Sequence, residues 1–409
     1  MSHTINPPLK NAMTVVAMLL TSCQRVLFMI PHRLGVVMGL LAALIPLSIA
    51  TAAMPTPNVP EIAARGYLLQ DFNSGQIIAE KNSHEQMEPA SLTKLMTAHI
   101  IFSELHAGNL KLSTDVLVSE RAWRMKGSRM FIEVNKRVSV EDLLKGMIIQ
   151  SGNDASVALA EHVAGSEEAF ASLMNHHADK LGMHSTNFVN STGMPDSDHY
   201  TTVHDLALLT RALITEFPEY YKWYSIKEFT YNDIRQHNRN ALLWRDKYVD
   251  GVKTGHTDSA GYCLISSALR DEMRLISIVL DTKSKEARAK ESQKLLNYGF
   301  RFFETRLLYR ANSQLTTSRI WKGAIKQLPL GLAEDLYITI PRGRYDKLDA
   351  SMKIDTQIIA PVTKGSSHGS VDISLEGSGV VERPLMALQA IEEGSMLQRL
   401  SDEISLFFE

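Results

Sequence analysis

Three short patterns stand in order along a chain of 409 residues: Ser91-Leu-Thr-Lys94, Ser151-Gly-Asn153 and Lys253-Thr-Gly255. Each alone is ordinary. A serine at a helix start is a common cap, and a lysine one turn on is usually solvated. A glycine and an asparagine between helices fit a C-cap followed by an N-cap. Together the three can build an activated nucleophile. Residues i and i+3 share a helix face, so the Lys94 amine can approach the Ser91 hydroxyl. At a helix start the Ser91 N–H lacks an intrahelical acceptor and can help hold a developing oxyanion. A free lysine, with a pKa of about 10.4, is a poor base at neutral pH. Burial beside another cation lowers it, and Lys253 is expected to supply that charge. Leu92, Leu95 and Met96 around Lys94 favour its burial.

The other two patterns suit the remaining steps. The Ser151 hydroxyl can relay a proton to a leaving amine. The Asn153 amide can position Lys94 and a substrate carbonyl. In "VDGVKTGHTDSAGYCL" (249–264), Lys253, Thr254 and His256 come just before an expected strand and turn. Extended backbone there can align with a peptide by strand pairing. Alternation puts Lys253 and Gly255 on one face, Thr254 and His256 on the other. Lys253 and Thr254 suit a terminal carboxylate, Gly255 permits close approach of substrate, and the His256 N–H is a second oxyanion donor.

Other chemistries lack support. The two cysteines, Cys23 and Cys263, are far apart, and the 14 histidines form no H-E-x-x-H, so no metal site or cofactor is called for. A net charge of −2 offers no basic field for nucleic acid. Cys263 is expected as a small core residue in a strand.

The positioning elements can be read from periodicity. "RGYLLQDFNSGQIIAEK" (65–81) reads as a hairpin around Asn-Ser-Gly. Helices are expected over 91–108, stopped by Gly108, and over 138–150, 153–165, 167–182, 202–217 and 284–305. Strands are expected at 261–269 and 273–281. This mixture makes an α+β domain, helices around an antiparallel sheet, over 60–305. From 306 to 393, short alternating runs at 335–343, 351–361, 370–377 and 381–389 read as a small all-β domain.

With these motifs the chain resembles the low-molecular-mass penicillin-binding proteins, specifically the D-alanyl-D-alanine carboxypeptidases. The resemblance covers nearly everything after the leader, including "SLTKLMT", "LLKGMIIQSGNDASVALAEHVAGS", "RQHNRNALLW", "LLNYGFRFFET" and "LYITIPRGR". It implies a transpeptidase-like domain followed by a β-rich domain. It implies Ser91 as acyl-accepting nucleophile, Lys94 as its base, Ser151 and Asn153 in the proton network, and Lys253 on the substrate carboxylate. Arg239, in "HNRN", matches a basic position near that carboxylate. The implied reaction removes the terminal D-alanine of the peptidoglycan pentapeptide stem, and β-lactam antibiotics would acylate the same serine. A D,D-endopeptidase would use the same residues, and an inactive wall-binding scaffold would keep the fold. A serine β-lactamase of this type deacylates with a loop glutamate. Residues 169–215, where that loop would lie, contain no Glu.

The two ends bear on location. Residues 1–53 read as a signal peptide with an N-terminal extension. The apolar run 34–49 follows His32 and Arg33 and leads into "ATAA" (50–53), the pattern of a cleaved secretory signal. A membrane span is the alternative. Met29 makes a more ordinary signal start than Met1, whose following stretch ends in "LTSC" at Cys23. The expected location is the periplasm, on the outer face of the cytoplasmic membrane. The tail 394–409 places Met396, Leu397, Leu400, Ile404, Phe407 and Phe408 on one helical face. It suits either an interfacial membrane helix or packing on the β domain. Asp402, Glu403 and Glu409 against Arg399 would be repelled by anionic lipid, so weak, salt-insensitive attachment is expected.

Overall fold

The computed structural model describes residues 3–4 and 56–408, so the leader and the two start sites lie outside the described residues. Two compact units divide the chain after Thr305.

The first unit is built on five antiparallel strands: β1 (Gly66–Asp71), β2 (Ile77–Lys81), β3 (Val249–Thr257), β4 (Gly261–Arg270) and β5 (Met273–Thr282). Their order is β2-β1-β5-β4-β3, which leaves β3 at an edge. Both faces are covered, so the strands read as nearly continuous apolar runs. Leu68, Cys263, Ile265, Ile276 and Ile278 point into one core, and Leu69, Leu264, Leu275 and Val279 point into another. The period of two sorts neighbouring residues onto opposite faces. The second core belongs to α6 (Lys285–Phe302), which supplies Ala289, Leu295 and Leu296. The first belongs to a helical layer: α1 (Lys94–His106), α2 (Val140–Lys145), α3 (Asn153–Ala164), α4 (Glu167–Lys180) and α5 (Val203–Glu216). Cys263 is a buried strand residue, and burial pushes its thiol up to about 12.

Three expectations change in detail. The helix expected from Ser91 begins as a 3-10 turn, Ala90–Thr93, and becomes α-helical only at Lys94. The helix over 138–150 turns into a π-helical segment, Gly146–Gln150, ending at Ser151. Lys253-Thr-Gly255 lies inside edge strand β3 rather than ahead of a strand. The small hairpin Glu228–Tyr231 and Ile234–His237 went unread because its residues are largely exposed and carry little apolar pattern.

The second unit is all-β. Its larger sheet contains Gln314–Trp321, Gln327–Gly331, Leu348–Ile354, Ser367–Leu375 and Ser378–Ala387, and Leu336–Pro341 pairs elsewhere. Gln314–Trp321 and Gln327–Gly331 were not expected, since "QLTTSRIW" is mostly polar. Helix α7 (Met396–Phe407) closes the unit, with a Ser395 and Gln398 capping box. It meets the β domain through its acidic face. Asp402 accepts a 2.6 Å bond from the Lys322 N–H, and Glu403 pairs with Lys322 Nζ. The apolar face points to solvent, with Phe407 86% and Leu397 80% exposed. Among the described residues, no helix is long and apolar enough to cross a membrane.

Candidate active site

The 3-10 turn decides how Ser91 and Lys94 meet. In that geometry residues i and i+3 nearly eclipse, so the two side chains stack along one line. Lys94 Nζ lies 3.1 Å from Ser91 Oγ. It also donates to Asn153 Oδ1 at 2.7 Å and to the Thr192 carbonyl at 2.5 Å. An ammonium fills all three directions with protons. A neutral amine keeps the two bonds to carbonyl oxygens and turns its lone pair on Ser91, which must then be the donor. The site is thus built to accept the Ser91 proton once Lys94 is neutral.

Burial makes that form accessible. Lys94 is 1% exposed, and its pKa falls to about 7. Desolvation is the main cause and the Arg239 guanidinium adds to it, while Asp154 and Glu167 oppose it. Lys253 and Lys94 disfavour each other's charge, and Arg239 is a further cation acting on Lys94. Lys253 is itself held well below its ordinary value by burial, then by Lys94, Arg239 and Arg288.

Ser151 sits at the end of the π segment with φ +68°, a left-handed conformation that is costly for a non-glycine residue by about 1–3 kcal/mol. Its oxygen accepts from Lys253 Nζ at 2.8 Å. Its own hydrogen is therefore available to something else. Asn153 opens α3, and its Nδ2 donates to the Lys126 carbonyl at 2.7 Å, which fixes Oδ1 toward Lys94.

β3 runs alongside the Ser91 turn. A Cβ on Gly255 would lie 3.1 Å from the Pro89 carbonyl and 3.2 Å from the Ala90 Cβ. Gly255 therefore admits the nucleophile's turn, and it also lines the cleft. Gly193 plays a similar part from the other side: its Cβ would fall 1.7 Å from the Ala90 carbonyl oxygen.

These parts line a cleft of about 1020 Å³, whose walls include Ser91, Ser151, Thr254, His256, Arg239 and Arg288. Lys253 stands behind Ser151 and is 2% exposed. The cations lining the cleft include Arg239, which the sequence analysis named, and Arg288, which it did not, together with Arg235, Arg245 and Lys285. Neither Arg239 nor Arg288 has a carboxylate partner among the described residues. Arg288 donates to the Gly255 carbonyl at 3.0 Å, and burial lowers its pKa to about 10. Desolvation lowers Arg239 too. Two guanidiniums without a carboxylate partner, in one cleft with Thr254, suit a carboxylate ligand. The only sequence signal for Arg288 was its place one turn into a helix, which looks like that of any surface arginine. The exposed His256 side chain stacks on Tyr262, with ring centroids 3.9 Å apart.

Glu167 is the buried carboxylate closest in kind to a β-lactamase base. Its Oε1 accepts from the Ser191 N–H and hydroxyl at 3.0 and 2.8 Å, and its Oε2 accepts from Arg121 at 2.7 Å. Both oxygens are committed to structure, and Glu167 does not line the cleft.

Residues 52–284 match the family described as D-alanyl-D-alanine carboxypeptidase, and residues 303–393 match the Penicillin-binding protein 5, C-terminal domain. The chain belongs to the D-alanyl-D-alanine carboxypeptidase family. It is 44% identical to D-alanyl-D-alanine carboxypeptidase DacC of Escherichia coli, over 88% of this chain and 92% of the relative. Its fold is similar to penicillin binding protein 5 from Haemophilus influenzae, with a TM-score of 0.80 and 39% identity, covering 83% of this chain and 100% of that one. Penicillin-Binding Protein D2 from Listeria monocytogenes, solved in an ampicillin-bound form, aligns at TM-score 0.55 and 34% identity over 60% of this chain and 99% of its own. These relatives agree with the penicillin-binding, transpeptidase-like fold and the all-β C-terminal domain.

Two predictions follow from this geometry. Acylation by a penicillin should rise with pH through about 7, as Lys94 loses its proton. Removing a neighbouring positive charge favours the ammonium, so Arg239→Ala should move that rising limb to higher pH; an unmoved or lowered midpoint contradicts the role given to Arg239. Gly193→Ala should cost more than about 1 kcal/mol, since φ is +83° there and the new methyl meets backbone. Thermal unfolding and fluorescent-penicillin labelling of that variant check it, both being expected to fall.

Proposed function

We propose that this cleft runs a two-step acyl transfer that removes the terminal D-alanine of peptidoglycan pentapeptide stems. The enzyme is a serine D-Ala-D-Ala carboxypeptidase of the penicillin-binding class. The observation that carries the mechanism is the triple coordination of Lys94 Nζ by Ser91, Asn153 and the Thr192 carbonyl.

The neutral Lys94 amine takes the Ser91 proton as Oγ attacks the penultimate alanine carbonyl. Backbone N–H groups at the Ser91 turn and on β3 are the candidate oxyanion donors. The substrate carboxylate lies against Arg239, Arg288 and the Thr254 hydroxyl. Its negative charge also favours the charged form of Lys253 behind Ser151. The departing amine needs a proton, and Ser151 has one to give because its oxygen is already an acceptor for Lys253. Lys94 passes the proton it took from Ser91 to Ser151 as D-alanine leaves, and the neutral Lys94 amine then activates water against the Ser91 ester, returning that proton to Ser91 Oγ as the ester breaks. No metal or cofactor enters the scheme.

A penicillin enters the same first step. With Glu167 engaged elsewhere, the penicilloyl ester lacks the loop base that a β-lactamase supplies. Mass spectrometry should show a persistent penicilloyl mass on the wild type and none on Ser91→Ala; rapid penicillin turnover would contradict this. For the substrate reaction, incubation with pentapeptide should release one alanine per stem, and Ser91→Ala should abolish it. Cleavage of cross-links without loss of terminal alanine would favour an endopeptidase instead.

Location belongs to the same proposal. The reading of residues 1–53 as a signal peptide with an N-terminal extension supports a periplasmic location, where the substrate is. Helix α7 supports attachment to the membrane surface by its outward apolar face. Two of the acidic groups that would oppose lipid, Asp402 and Glu403, are engaged with Lys322. Binding should therefore rest on Met396, Leu397, Leu400, Ile404, Phe407 and Phe408 and resist salt. Flotation with vesicles at low and high salt tests it: deleting 394–409 should release the protein, and an unchanged bound fraction would exclude the tail as anchor.

A further inference from the structure

We infer that His199 is a positioning residue for the nucleophile, holding the Ser91 turn in place through the Thr93 hydroxyl. The inference rests on the serine acyl-transfer reading above.

The hydrogen-bond directions along this path are forced. His199 is 2% exposed, and Thr93 is fully buried. The Thr93 hydroxyl lies 2.8 Å from the Ala90 carbonyl, which can only accept, so its hydrogen goes there. Thr93 Oγ1 also lies 2.8 Å from His199 Nε2. Having spent its hydrogen, the hydroxyl must accept, so Nε2 carries a proton. The far nitrogen closes the argument: His199 Nδ1 accepts from the Val189 N–H at 3.1 Å. Only the neutral Nε2–H tautomer satisfies all three bonds. Burial agrees, since it keeps the ring neutral down to about pH 4 against the opposing influence of Asp196.

Ala90 is the reason such a clamp is needed. It precedes the nucleophile and has φ +47°, a left-handed conformation that alanine rarely adopts. Nothing local in an alanine favours that geometry. The surroundings over-determine it: Gly193 lies so close to the Ala90 carbonyl that only a glycine fits there, and the Thr93 hydroxyl ties the same oxygen. The left-handed Ala90 sets where the 3-10 turn starts, and thereby where Ser91 Oγ lies relative to Lys94 Nζ. His199 touches neither Ser91 nor Lys94 in hydrogen-bonding terms; it acts through Thr93 and Ala90.

A core histidine that merely fills space beside Phe188 would have no such reach. The two roles separate in pre-steady-state acylation by a fluorescent penicillin. That measurement yields the maximal acylation rate and the half-saturating penicillin concentration. Thr93→Val keeps the shape but removes the hydroxyl, and Thr93→Ser keeps the hydroxyl but loses the methyl. Losing one hydrogen bond of this kind should slow maximal acylation by about tenfold in Thr93→Val. Thr93→Ser should stay within about twofold of wild type, and the half-saturating concentration should move little in either. His199→Phe should match Thr93→Val, and His199→Gln, which keeps an N–H donor, should recover part of the loss. Because the residues act in series, the double variant Thr93→Val/His199→Phe should be no slower than the worse single variant. Three results would each overturn the proposal: normal acylation in Thr93→Val, equal losses in Thr93→Val and Thr93→Ser, or losses that multiply in the double variant. Normal acylation in a folded His199→Phe would overturn it as well; should that variant fail to fold, His199→Gln decides, since it should acylate faster than Thr93→Val and an equal or greater loss would overturn the proposal.

Discussion

The structure depends on keeping an amine dry. A lysine ammonium loses most of its favourable hydration when enclosed, and the neutral form gains in proportion. Lys94 is enclosed by α1, by the start of α3 and by the Ser191–Gly193 segment. Each supplies something burial alone would not. Asn153 and the Thr192 carbonyl accept two of its protons, so the third direction, toward Ser91, is the one whose proton can move. Asp154 and Glu167 pull the other way, toward the charged form. The value near 7 is the balance, and it leaves the base half-ready at neutral pH.

The rest of the fold can be read as support for that enclosure. A sheet with both faces buried fixes β3 as a rigid edge, and glycines at 193 and 255 let two backbones close on the Ala90 turn. Strain is placed beside the chemistry, at Ala90 and Ser151, and is held there by hydrogen bonds that reach across the sequence. Asp154 is an example. Its carboxylate accepts the N–H groups of Met130, Phe131 and Ile132, and so fixes a loop that reaches the cleft wall at Gly127 and Ser128. Loss of such a group would loosen the cleft without touching a reacting atom.

The site was legible where chemistry is carried by side chains at fixed local spacing. Ser91 and Lys94 are three apart, and Ser151 and Asn153 two apart, so the pattern survives in one dimension. It was not legible where the partner is a backbone carbonyl, as with Thr192, or a distant side chain, as with Arg288 and His199. Periodicity found the long helices and the buried strands because burial imposes a period. It missed Gln314–Trp321 and the 228–237 hairpin, whose exposed faces impose none. The outward face of α7 was visible in the sequence. The way its acids dock on Lys322 was not, because a hydrogen bond or ion pair between residues 80 or 81 apart leaves no local trace.

The central claim is that Lys94 gives up its proton near neutral pH, far below an ordinary lysine. Its direct test is a proton-titration of lysine side chains by NMR, using protein labelled with 13C at the lysine ε-carbon. The resonance assigned to Lys94 by its absence in Lys94→Arg, and distinguished from that lost in Lys253→Arg, should titrate near pH 7. A Lys94 resonance that stays that of an ammonium up to the ordinary lysine range, about pH 10, would contradict the account.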